Sequence, residues 1–254
     1  MKLIIAGANG FVGTELVRQS LRLPSITSII ALSRRPVDIG NGGSSAAEIS
    51  KLTTVVVGSY DTYSDDEKAV FANADACIWE SADDILHLSD RTVAITPSRS
   101  DAYEWDEVQR VCLRSPLVAL KTMIDARSEA AFGPNSKPIR FVYMSGIASE
   151  RDQTKTPSFK PKYSLLRGEA ESAILALAEE HRPKVEVCIA KPGWITAPND
   201  YMKMAMGFAL KWVASLPSIC VQEISAAMLH QVVNGFEKDT LLNDDLAGIG
   251  RANM

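Results

Sequence analysis

Tyr163 and Arg167, in the stretch KYSLLRGEAES from 162 to 172, stand four residues apart. In a helix that spacing brings two side chains to one face, one turn apart, where a phenol and a guanidinium can reach a common ligand. A second pattern lies at the start of the chain, where AGANGFVG gives Gly7, Gly10 and Gly13 the spacing G-x-x-G-x-x-G. Glycines so placed serve a tight turn, close approach of the backbone to a pyrophosphate and close packing of helix on strand. The N-terminus of the following helix favours negative charge. Asn9, Phe11 and Val12 lie within the same loop and complete the expected cofactor-binding segment. A third pattern is ALSRRP, at the separation where NAD-binding proteins present an acid to the ribose hydroxyls. Ser33, Arg34 and Arg35 stand there instead. They offer donors and positive charge suited to a 2′-phosphate, which a carboxylate would repel, and so predict NADP(H) over NAD(H).

Such residues need a scaffold, and the chain alternates strand-like with helix-like patterns. KLIIAG (2 to 7) is followed by a helix from about Thr14 to Leu23, by ITSIIALS (26 to 33) and by KLTTVVVG (51 to 58). Then come a helix near Asp65 to Phe71, DACIWE (75 to 80) and a long helix near Trp105 to Ala131. IRFVYMSG (139 to 146), a helix over 163 to 181 and KVEVCIAKPG (184 to 193) complete the series. Short β-rich runs separated by amphipathic helices predict a doubly wound α/β fold, a parallel sheet covered on both faces, because parallel strands need crossover connections. GNGGSSA (40 to 46) reads as a flexible loop. No repeat or linker interrupts the pattern, which predicts one domain over 1 to 254 with a short elaboration from residue 196 onward.

Composition narrows the partners. With 254 residues and 46% hydrophobic content the chain can bury a proper core. A net charge of −4 disfavours nucleic acid or an anionic membrane and leaves small molecules or other proteins, including a second copy of the chain. Cys77, Cys112, Cys188 and Cys220 are scattered and form no C-x-x-C pair, as in a reduced cytoplasmic protein. His87, His181 and His230 show no metal-ligand spacing, so no metal is expected. The start MKLIIAGANG breaks too soon for a signal peptide. The most apolar stretch, 201 to 221, is interrupted by Lys203, Lys211 and Pro217 and is not expected to span a membrane.

With these motifs the chain resembles the short-chain dehydrogenase/reductase superfamily, most closely its atypical or extended branch with NmrA-like and sugar-epimerase-like members. The likeness runs from residue 1 to about 200 and rests on GANGFVG, FVYMSG, YSLLRGEAE and AKPGWI. It implies that Ser145 and Tyr163 polarise a carbonyl or alcohol and that Arg167 takes the place of the lysine that holds the nicotinamide ribose. It also implies that Pro192 and Gly193, with Trp194 and Ile195 beside them, lie against the nicotinamide. The chemistry is consistent: a cation about 5 Å from the phenol, at an effective dielectric near 20, is worth roughly 3 kcal/mol, about two pKa units toward working range. Tyr163 would then exchange the proton while the cofactor carries the hydride.

The sequence departs from that pattern in three places. Arg167 stands for lysine and cannot release a proton as lysine can, Lys191 precedes the Pro-Gly pair, and ACIWESADD lacks the small residues that usually end the fourth strand. Glu80 in that stretch is an acid close to where a dinucleotide would lie. Met202, Met204, Met206, Phe208 and Trp212 form an apolar, adaptable set for a substrate wall, or equally for core or a dimer contact. The expected function is an NADP(H)-dependent oxidoreductase acting on a small, bulky apolar substrate. The alternatives are a non-redox isomerase, dehydratase or cyclase on the same scaffold, and a non-catalytic, NmrA-like dinucleotide-sensing protein.

Overall fold

The computed structural model describes residues 1–37, 43–80, 100–127, 137–197 and 217–254. Strands β1 (Lys2–Ala6), β2 (Ser28–Ser33), β3 (Leu52–Val56), β4 (Ala76–Glu80), β5 (Ile139–Met144) and β6 (Val185–Lys191) form where the apolar runs predict them. Helices α1 (Phe11–Arg22), α2 (Ala46–Ile49) and α3 (Asp65–Phe71) link the first four. Between β4 and β5 lie α4 (Trp105–Gln109), a π-helical turn (Arg110–Arg114) and α5 (Ser115–Ala126), and α6 (Pro161–Glu180) joins β5 to β6. Two three-residue strands follow, β7 (Trp194–Thr196) and β8 (Ser218–Cys220), then α7 (Val221–Asn234), β9 (Thr240–Leu242) and α8 (Asn243–Ala252).

Among the described residues seven strands make one parallel sheet in the order β3-β2-β1-β4-β5-β6-β9. The chain steps outward from β1 to one edge through β2 and β3, then returns to β1's other side with β4. Ligands of open α/β sheets bind beyond the carboxyl ends of the strands at such a reversal. Successive side chains of each strand enter opposite layers. Leu3, Ile5, Ile29, Ala31, Ile78 and Val142 pack on the side covered by α1, α7 and α8. Ile4, Ala6, Ile30, Leu32, Trp79, Phe141 and Tyr143 pack on the side of α3, α5 and α6. Both faces of the central strands are therefore buried, which explains their near-continuous apolar runs, while the edge strand β3 stays largely exposed.

Of the elaboration expected from residue 196 onward, the described residues 217–254 add strands and two helices to the fold. β9 pairs with β6, and α7 lays Ile224, Met228 and Val232 on the sheet beside α1. Charged side chains lock helix ends to strands. Arg140 of β5 donates to the Val232 and Val233 carbonyls at 2.9 and 3.0 Å, and Lys2 of β1 to those of Val70 and Ala72 at 2.7 and 2.8 Å. Both are cations at helix C-termini, the favourable end for positive charge. No helix among the described residues is long and apolar enough to cross a membrane.

Candidate functional site

The glycine loop takes the form that its spacing predicts. Gly7 has φ +79°, a left-handed conformation in which a side chain would be strained. Its N–H donates to the Leu32 carbonyl of β2 at 3.0 Å, and the Gly10 N–H closes the turn on the Gly7 carbonyl at 2.8 Å. Gly10 caps α1, whose first turn carries no acidic residue. A Cβ on Gly13 would stand 2.1 Å from the Gly7 carbonyl oxygen, so this helix lies closer to its strand than any larger residue permits. Asn9 donates from Nδ2 to the Arg35 and Pro36 carbonyls at 3.0 and 3.3 Å, tying the loop to the end of β2. Val12 is buried in the core, whereas Phe11 is 53% exposed at the rim. The backbone of the loop thus fits a dinucleotide's pyrophosphate.

One side chain reaches into this turn. β4 lies beside β1 with Trp79 opposite Ala6, so the next residue, Glu80, projects at the level of the glycine turn. Its two carboxylate oxygens lie 2.9 and 3.0 Å from where a Gly10 Cβ would be. Glu80 is 6% exposed, and among the described residues its Oε2 has no hydrogen-bond partner. Burial pushes its carboxyl up to about 8, against the opposing pull of the Gly13 and Val12 N–H groups.

At the end of β2 stand the residues expected around a 2′-phosphate. Ser33 is buried and donates its hydroxyl to the Arg35 carbonyl, so it shapes the turn. Arg34 stands near Glu107 of α4, whose carboxyl is held low first by its hydrogen bonds from Arg110 and also by Arg34. Arg110 donates from Nε to Glu107 at 2.7 Å and from Nη1 to the Ser59 hydroxyl at 3.2 Å. Arg110 is a further cation at this end that the sequence reading missed, since nothing local links it to residue 34.

Tyr163 and Arg167 share one face of α6, as their spacing requires. That face turns inward. Tyr163 is 7% exposed and packs with Leu166 against Val108, Val111 and Cys112. Arg167 donates from Nη2 to the Met144 carbonyl at 2.6 Å and lies 4.9 Å above the centre of the Tyr143 ring. Both the phenol and the guanidinium lie against the Cys112 thiol. The expectation that Arg167 brings the phenol down toward neutral pH is corrected here: burial is the larger effect and raises it, and Arg167 only opposes that rise.

The π-helical turn supplies Cys112. In regular α register the Cys112 carbonyl would take the N–H of residue 116, a proline with none. The Tyr143 hydroxyl donates to that carbonyl instead, at 2.9 Å, and Ser115 Oγ donates to the Arg110 carbonyl at 2.9 Å. A widened turn beside candidate reacting groups is a common place for such an irregularity. On the other side of Tyr163, Lys160 has φ +44° and pairs with Asp101, and Lys162 Nζ sits 3.8 Å over the Trp105 ring. These contacts fix the start of α6 against the α4 region.

Ser145 belongs to a different group. Its hydroxyl lies 2.8 Å from that of Ser149 and donates to Glu171 Oε1 at 2.5 Å. Glu171 is fully buried, and its Oε2 receives Arg151 Nε at 2.7 Å and Lys191 Nζ at 3.0 Å. Lys191 also donates to the Ser149 carbonyl at 2.9 Å. Glu171 thus holds two cations and the candidate catalytic hydroxyl together. It follows Arg167 by four residues on the same helix face, the one local signal that could have found it. The Pro192-Gly193 turn is held close by: the Gly193 N–H donates to Asn243 Oδ1 at 3.0 Å, and a Gly193 Cβ would meet the Pro217 carbonyl at 1.9 Å. Trp194, half exposed, and Ile195 open β7, which pairs with β8. Met202, Met204, Met206, Phe208 and Trp212 lie outside the described residues, as does the stretch after Glu80 up to residue 99. Among the described residues no three His, Cys, Asp or Glu side chains are grouped to hold a metal ion.

No protein-family model matches the chain. Among curated proteins it is similar to the hybrid PKS-NRPS synthetase mycA of Thermothelomyces thermophilus, 25% identical over 256 residues. That match takes in 92% of this chain and spans only 6% of the synthetase's length. Among solved structures it is similar to the FolM alternative dihydrofolate reductase 1 of Brucella canis complexed with NADP. The TM-score is 0.61 at 15% identity, over 97% of this chain and 92% of that one. It is also similar to a short chain dehydrogenase of Burkholderia cenocepacia in complex with NADP, with a TM-score of 0.56 at 17% identity over 95% and 86%. Seven parallel strands, a glycine turn after the first and these likenesses give the chain the Rossmann-type fold on which NAD(P)-binding reductases and epimerases of the short-chain dehydrogenase/reductase kind are built.

Proposed function

We propose that the chain is an NADP(H)-dependent oxidoreductase that reduces a carbonyl of a small organic molecule. The observation that carries this reading is the glycine turn at the reversal point of the sheet, where the Gly7 conformation and the Gly13 close approach suit a dinucleotide's pyrophosphate. Arg34 and Arg35 support the phosphorylated cofactor, which would supply the hydride. Pro192, Gly193, Trp194 and Ile195 form the rim on the nicotinamide side. In reduction Tyr163 would donate the proton to the developing alkoxide, and burial keeps its phenol protonated.

One observation favours a second reading, a dinucleotide-sensing protein without turnover. Ser145 is engaged by Glu171 and Ser149, while Tyr163 is buried against Cys112, so the two hydroxyls sit in separate groups. Fluorescence titration with NADPH and NADH, followed by assays of NADPH consumption over a panel of aldehydes and ketones, separates the readings. The reductase reading expects tighter NADPH binding, a preference lost in the Arg34→Ala/Arg35→Ala double variant, and turnover abolished by Tyr163→Phe with binding retained. NADPH binding without consumption by any carbonyl would move the assignment to the sensing protein.

A further inference from the structure

The feature that the proposed reaction leaves unused is Glu80. A carboxyl side chain ends β4, is 94% buried by its 6% exposure, and points into the glycine turn, whose backbone is arranged to receive an anion. The Val12 and Gly13 N–H groups at the start of α1 act on this carboxylate. They belong to the first turn of a 12-residue helix, where a bound phosphate would find its donors. Among the described residues Oε2 has no hydrogen-bond partner. The loop therefore holds an acidic group of its own, incompletely satisfied and anionic once the pH passes about 8, where the ligand's charge belongs.

We propose that Glu80 is an internal surrogate for phosphate, which must leave the glycine turn before a dinucleotide's pyrophosphate can enter it. The proposal rests on the dinucleotide reading above and adds the residue that sets its affinity. Two like charges in contact inside a buried turn repel strongly, because the surrounding dielectric is far below that of water. Occupancy by the cofactor and by an ionised Glu80 are thus mutually exclusive. A neutral Glu80 gives up its place more readily, since it has no charge for the two N–H groups to hold.

Few other groups are in a position to confuse this competition. Residues 7 to 13 carry no ionisable side chain, and Glu15, further along α1, is paired with Arg18 at 2.7 Å and Gln19 at 2.6 Å. β1 contributes Ala6, and β5 contributes Met144 in register with Glu80. Arg167 of α6 bonds the Met144 carbonyl, and among the described residues no charged side chain acts on Glu80. The pH at which affinity changes is therefore assigned to Glu80 itself.

The test is isothermal titration of the full chain and its Glu80→Gln and Glu80→Ala variants with NADPH, and with inorganic pyrophosphate, between pH 7 and 9.5. Circular dichroism checks that each variant is folded. In the parent, affinity should fall by about tenfold per pH unit above the value near 8 at which Glu80 ionises, whereas both variants should show a flat profile. At pH 9 the Gln variant should bind about tenfold more tightly than the parent. Equal affinities and equal pH profiles for the three proteins overturn the proposal. If no protein binds NADPH, the dinucleotide reading fails. Pyrophosphate then decides the surrogate role alone: tighter binding by the variants supports it, and no difference between variants and parent overturns it.

Discussion

Glu80→Gln should stabilise the chain, and the gain should grow as pH rises. The carboxyl is raised from 4.5 in the unfolded chain to about 8 in the fold, with burial the main cause. Between those values the native state holds a proton that the unfolded state releases. Stability consequently falls with increasing pH across that window, is fully present below about 4.5, and levels off above about 8. Integrating the two titration curves gives a loss of about 1 kcal/mol at pH 5 and about 5 kcal/mol at pH 9. Glutamine keeps the size and an acceptor oxygen and cannot ionise, so it removes this dependence. Every other group titrates alike in both proteins and cancels in the difference. Urea unfolding followed by circular dichroism at pH 5, 7 and 9 should therefore show the Gln variant gaining on the parent by about 4 kcal/mol from the lowest pH to the highest. A constant difference between the two proteins over that range would refute the burial of an ionisable Glu80 in the glycine turn.

Glu171→Ala should cost about 3 to 5 kcal/mol, because it strands Lys191 in the interior, and a Lys191→Met/Glu171→Leu pair should recover most of that loss in thermal unfolding. Gly13→Ala should cost about 3 kcal/mol or prevent folding, since its methyl would meet the Gly7 carbonyl; the melting temperature checks this. Tyr143→Phe, which leaves the Cys112 carbonyl beside Pro116 without its hydroxyl donor, should lower stability by about 1 to 3 kcal/mol in denaturant unfolding.

What could be read without coordinates was whatever the chain encodes locally. β1 to β6 are short runs rich in apolar and β-branched residues, and the glycine turn is a seven-residue pattern, so both were legible in order and position. The helix expected near Trp105 to Ala131 is interrupted by the π-helical turn, whose one local signal is Pro116 in an otherwise helical stretch. β7, β8 and β9 are three residues each, too short to show a period of two. α7 does carry an amphipathic pattern, VQEISAAMLHQVVN, which the attention given to a substrate wall passed over. The site was legible in its residue types but not in its groupings. Arg151, Glu171 and Lys191 are spaced by twenty residues each and converge only through the packing of α6 on β5 and β6. Arg167 lowers the Tyr163 phenol and its spacing is visible in the sequence, whereas the larger opposing effect, desolvation, exists only because α6 turns that face inward.

The layer formed by α1 and α7 has a consequence for the order in which this chain can mature. Gln19 of α1 donates to the Gln222 carbonyl at 3.1 Å across 203 residues, and the apolar surface under α1 is closed by Ile224, Met228 and Val232. On the opposite layer, α5 and α6 are in place once β6 has been made. A nascent chain therefore completes one side of its sheet well before the other, and Leu3, Ile5 and Ile78 await partners synthesised more than a hundred residues later. Contacts of such separation form slowly, because loop closure must precede them. During that interval the α1 side is an exposed apolar surface, the kind that chaperones bind and that drives association of incomplete chains.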